Sequence, residues 1–128
     1  MIHVWKVNMK RDMDLCRKIM LAIEDRYVDT AISNLAIDGY SLEQVAYHCN
    51  ILCEAGIVTE YNPTYGDNRL QFFSVGSLTW EGHEYLDKIR DTTIWQKTKD
   101  KIQELGVPMT LDVIKDVAAS IISLMLSK

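Results

Sequence analysis

An excess of positive charge is missing from this sequence: 14 Lys and Arg stand against 18 Asp and Glu, a formal net charge of −4 over 128 residues. That removes the overall basic signature carried by many nucleic-acid binders, so any phosphate-binding patch has to be local. Cysteine is scarce and odd in number, with Cys16, Cys49 and Cys53 alone. In the absence of a secretory leader this argues against a disulfide framework and for a reducing compartment, the cytoplasm. The opening Met1 to Asn8 has neither a basic stretch nor an apolar run long enough for a signal peptide. The apolar run from Val117 to Leu126 is too short to span a bilayer. Repeats, low-complexity tracts, nucleophile elbows, phosphate-cradling loops and glycine-rich dinucleotide turns are missing too, and with them the usual signatures of an enzyme.

What is there is ordinary globular material, 48% apolar and 25% charged. A chain of this size buries about two-thirds of its unfolded surface around a single core. Asp12 can cap a helix to about Arg26, with Leu15, Cys16, Ile19, Met20 and Ile23 on one face. Leu35 to Tyr40 reads as a short strand, with Asp38-Gly39 marking a bend. Ser41 opens a second helix whose apolar face holds Leu42, Val45, Ala46, Cys49, Leu52 and Cys53, and Gly56 stops it.

Two β-rich runs, 57–61 and 69–75, flank the turn formers Asn62 to Asn68 and are expected to pair as a hairpin. Thr79 starts a third helix with Gly82, Tyr85, Leu86 and Ile89 inward, and a fourth runs from about Thr93 to Leu105 on Trp95 and Ile102. The last helix, Thr110 to about Leu126, carries a wide apolar stripe that either closes the core or forms a two-fold helical interface.

Helix, hairpin and the Leu78-Thr79-Trp80-Glu81-Gly82-His83-Glu84-Tyr85-Leu86 segment follow the order of a winged helix: recognition helix, wing, following helix. The landmarks Met9-Lys10-Arg11-Asp12-Met13-Asp14-Leu15, Asp38-Gly39-Tyr40-Ser41, Ala46-Tyr47-His48, Glu54-Ala55-Gly56-Ile57 and Leu78 to Glu84 extend the comparison over nearly the whole chain. With them it resembles a family of uncharacterised bacterial and prophage proteins with a winged-helix-like fold. The resemblance implies that fold and a phage-associated setting but no activity, and it implies a start near Met9, making residues 1–8 an upstream start or an added strand.

The outward positions of the second helix are Glu43, Gln44, Tyr47, His48, Asn50, Ile51 and Glu54, with no lysine or arginine among them. Gln44 and Asn50 have the amide chemistry that reads adenine, whereas Glu43 and Glu54 repel phosphate. Lys10, Arg11 and the wing residue Arg69 complete the candidate nucleic-acid contacts. Arg17, Lys18, Lys97, Lys99 and Lys101 are further cations, read most simply as a solvated surface. Tyr47, His48 and Ile51 are the candidate protein contacts, tyrosine being enriched at interface hot spots; the alternative packs Tyr47 and His48 under the wing or the last helices.

Cys16, Cys49, Cys53 and His48 lack the close ligand spacing of a zinc site, and the cysteines serve as small buried apolar groups. His83 and Glu84 are helix neighbours that point apart, with no third group to orient them. The expectation is therefore an α+β winged-helix-like domain (helix, strand, helix, β-hairpin wing, helix) with additional C-terminal helices. It is one domain over 1–128, with a core at 9–91 and a helical extension at 92–128. No catalytic residue, metal or cofactor is expected. The partner is DNA, as for a transcriptional regulator, or a protein, as for a phage or host accessory factor; a homodimer is expected and a membrane is not.

Overall fold

The computed structural model describes residues 9–127. The expectation for residues 1–8 lies outside them. The chain forms two compact units, divided between Thr79 and Trp80. The first holds α1 (Met13–Arg26), β1 (Ile32–Ser33), α2 (Leu42–Glu54), β2 (Tyr61–Gly66) and β3 (Arg69–Val75). The second holds α3 (Trp80–Ile89), α4 (Thr92–Leu105) and α5 (Leu111–Leu126). Among the described residues this gives five helices and a three-stranded antiparallel sheet of order β1-β3-β2, an α+β fold of winged-helix-like type.

In the first unit, Asp12 caps α1 by accepting a hydrogen bond from the Leu15 N–H at 3.0 Å. Leu15, Cys16, Ile19, Met20 and Ile23 then turn inward at helical spacing, each at most 1% exposed. They meet α2, whose start is fixed by a reciprocal capping box: the Ser41 hydroxyl accepts from the Gln44 N–H, and the Gln44 side-chain oxygen accepts from the Ser41 N–H. Gly56 ends this segment at φ +77°, a conformation that costs a residue with a Cβ but not glycine. Val45, Ala46, Cys49 and Leu52 join Leu35, Ile57, Val58, Phe73, Val75 and Leu78 to complete the core.

Three sequence expectations need correction here. The strand before α2 is Ile32–Ser33, paired with Val75 and Ser74, and not 35–40. Asn34 leaves the strand at φ +47° and locks itself to Phe73 twice, its N–H donating to the Phe73 carbonyl and its side-chain oxygen accepting the Phe73 N–H. Residues 37–40 then form a turn around Gly39 at φ +87°, and no helix stands between β1 and α2.

The first wing strand is Tyr61–Gly66, not 57–61. Asn62-Pro63 reads as a turn by composition, yet β2 is an edge strand, where a proline removes no needed ladder donor. The turn itself is Asp67-Asn68, both left-handed at φ +53° and +61°, as a two-residue hairpin requires. Ile57 to Glu60 still run antiparallel to 76–79, through Glu60 O to Gly76 N, Thr59 N to Ser77 O and Thr79 N to Ile57 O. Gly76 lets the two segments approach closely, because a Cβ there would collide with Thr59 Oγ1 and lie 2.7 Å from Glu60 Cγ, so those side chains would have to move.

The third correction concerns His48, placed outward by helical spacing and found 1% exposed. Its Nε2 accepts the Asp12 N–H at 2.9 Å, which leaves Nδ1 as the protonated nitrogen donating to the Gln44 carbonyl at 2.8 Å. A buried polar ring is tolerated when its hydrogen bonds are satisfied, and here both nitrogens are engaged. His48 thus ties α2 to the N-terminus of α1.

In the second unit, α3 turns Gly82, Tyr85, Leu86 and Ile89 inward, as the spacing predicts. Asp91 caps α4, which buries Trp95, Thr98 and Ile102; Thr98 satisfies its hydroxyl by donating to the Ile94 carbonyl at 2.7 Å. Gly106 at φ +70° ends α4, and Thr110 caps α5, which buries only Ile114 and Ala118.

Candidate binding cleft between the second helix and the wing

Helix α2 packs against both strands of the wing, β2 and β3. The result is a cleft of about 380 Å³ within the first unit. From α2 it takes Glu43, Ala46, Tyr47 and Asn50, which recur at three- and four-residue spacing on one side of the helix. From the hairpin it takes Tyr61, Tyr65, Asn68, Arg69 and Leu70, and Met9 closes one side.

Tyr61 and Tyr65 stand four apart on β2, the spacing that keeps side chains on one face of a strand. Tyr61 is half-buried, its ring 5.9 Å from that of Phe73. Burial, and after it the neighbouring Tyr65 hydroxyl, push its phenol up to about 12, so it remains a hydrogen-bond donor at ordinary pH. Tyr65 is 66% exposed and Tyr47 37%, so the cleft presents aromatic surface to solvent. Its charge is mixed, one cation at Arg69 against one anion at Glu43.

The structure sorts the candidate residues of the sequence. Tyr47, Asn50 and Arg69 converge on the cleft. Lys10 and Arg11 are exposed directly after Met9, which lines it. Gln44 is committed to the capping box, His48 to the core, and Ile51 is half-buried outside the cleft. Arg69 forms the closing pair of the hairpin with Gly66, placing its exposed side chain at the wing tip beside Asn68. Lys97, Lys99 and Lys101 belong to α4 in the other unit.

Sequence reasoning misses Tyr61, Tyr65 and Asn68, because all three fall at or beyond the end of a first strand at 57–61. The alternation Tyr61-x-Pro63-x-Tyr65 was the available signal, a period of two within a segment rich in turn formers.

Cys49 is fully buried and Cys53 half-buried, so the cysteine side of α2 does face inward. Burial pushes the Cys16 thiol up to about 12, with the Asp12 carboxylate adding to it, and burial with Cys16 nearby does the same for Cys49. Such thiols behave as small apolar groups rather than nucleophiles. Among the described residues no cluster of three His, Cys, Asp or Glu is placed to hold a metal ion, and no helix is long and apolar enough to cross a membrane.

Helix α2, the two-stranded wing β2–β3 and the helix α3 that follows give the element order of a winged-helix-like protein. The chain belongs to the family described as "Hypothetical protein (DUF2513)", whose model matches residues 10–108. It is also similar to an uncharacterized protein of Haemophilus influenzae, 38% identical over 122 residues that cover 93% of this chain and the whole of the relative. No solved structure matches it.

Proposed function

We propose that this chain is a non-catalytic binding module of bacterial or prophage origin, acting in the cytoplasm, that takes a protein segment in the cleft between α2 and the wing. The observation that carries the reading is the composition of that cleft: Tyr47, Tyr65 and Arg69 around a concave floor, with one charge of each sign. Tyrosine and arginine are the side chains that dominate protein hot spots, and concavity lets them be desolvated by a partner. Phosphate, by contrast, needs several cations, and α2 supplies none. The loop at 34–41 also takes the slot in which a helix-turn-helix has the helix that crosses the DNA backbone.

The test is panning of a random peptide display library against the full chain. The reading expects enriched peptides whose affinity falls about tenfold or more on Tyr47→Ala or Tyr65→Ala, the cost of losing one buried aromatic anchor. Absence of enrichment over a blank surface contradicts it.

One observation favours a second reading, DNA association. Arg69 stands exposed at the wing tip beside Asn68, shares the cleft with Asn50, and has Lys10 and Arg11 following Met9 near the same edge. A wing arginine of this kind fits a narrow minor groove. On that reading the chain is a regulator, and duplex DNA displaces the selected peptides at low ionic strength.

A further inference from the structure

The apolar stripe of α5 finds little to cover it. Of its sixteen residues only Ile114 and Ala118 are buried. Leu124 is 65% exposed and Leu126 80%, and Leu105 at the end of α4 is 54% exposed. Leu105, Val117, Ile121 and Leu124 line a groove of about 520 Å³ along the α4 and α5 pair, both helices of the second unit. A contiguous apolar surface with a polar rim is the usual mark of an interface.

The rim says which partner fits. Lys101 is engaged by Glu104 at 3.3 Å, and Asp100 accepts from Gln96 at 2.9 Å. That leaves Lys97 on the α4 wall and Asp116 on the α5 wall, neither with an ion-pair partner among the described residues. A two-fold contact between identical chains sets residue i against j and j against i, so one uncommitted cation and one uncommitted anion are each used twice. A partner segment of a single charge sign would match one wall and oppose the other.

We infer that the groove between α4 and α5 is the interface with a second copy of this chain. Ile121 and Leu124 form its apolar centre, and Lys97 of each copy pairs with Asp116 of the other. This stands apart from the α2 cleft, which belongs to the first unit, so the two readings fail separately.

Sedimentation of the full chain tests it. The wild type is expected to associate to a dimer as concentration rises, and Leu124→Glu to remain monomeric with an unchanged far-ultraviolet circular dichroism spectrum. Lys97→Glu and Asp116→Lys are each expected to weaken the dimer about tenfold, by placing like charges in contact, and the two together to restore most of the loss. A circular dichroism spectrum unchanged in all three charge variants separates that restoration from a recovery of folding. A wild type that stays monomeric at every concentration overturns the inference and leaves the groove to a foreign segment. A dimer unmoved by Leu124→Glu and both charge reversals overturns it as well.

Discussion

Helices α2 and α5 begin alike and end differently. Each has a hydroxyl N-cap, Ser41 accepting from Gln44 and Thr110 from Val113, and each is amphipathic. Yet α2 buries Val45, Ala46, His48, Cys49 and Leu52, whereas the longer and more apolar α5 buries only Ile114 and Ala118. In α2 even a histidine goes inside, because Asp12 and Gln44 meet both ring nitrogens. In α5 even leucines stay out. An amphipathic pattern states what a helix has to cover; its neighbours decide whether it is covered.

The comparison breaks most readily at matched truncations. Leu52→Ala in α2, at a buried site, is expected to lower stability by about 2–5 kcal/mol, the range for emptying a filled core site. Leu124→Ala in α5 is expected to cost the monomer under about 0.5 kcal/mol, as at a surface site. Equal losses in urea melts of dilute protein would show that the two helices are covered alike.

His48→Ala comes next, at about 1–3 kcal/mol, because it strands the Asp12 N–H and opens a void. His48→Gln, with a donor and an acceptor of its own, is expected to recover part of that loss in the same melts. Ser41→Ala removes half of the capping box and is expected to cost about 1 kcal/mol.

The smallest effect sharpens the comparison inside α2 itself. Cys53 is half-buried while Cys16 and Cys49 are held protonated up to about pH 12, so a thiol reagent at pH 8 is expected to modify Cys53 first and the others only on unfolding. The sign follows from linkage: a thiol whose folded value is raised above 9.0 holds its proton more tightly in the folded chain, so stability is intact below about pH 9 and falls as the pH rises from there toward 12.

What was legible in the sequence was what short-range chemistry decides. Asp12, Ser41 and Thr110 marked helix starts because a side-chain oxygen reaches a backbone N–H only two or three residues on. Gly56 and Gly106 marked ends for a similarly local reason. The wing's first strand was misplaced because Asn62 and Pro63 carry turn propensity that only sheet position overrides. His48 was misplaced because its partner Asp12 lies 36 residues away. For the cleft, Tyr47, Asn50 and Arg69 could be named singly from chemistry, but their convergence with Tyr65 depends on a hairpin register that composition does not encode.

The central claim is that the α2 and wing cleft serves a protein rather than duplex DNA, and a salt titration of random-sequence duplex by fluorescence anisotropy tests it most directly. The account predicts no saturable binding even at low ionic strength. Binding whose logarithm falls steeply with the logarithm of salt, with Arg69→Ala reducing that slope by about one, would contradict it.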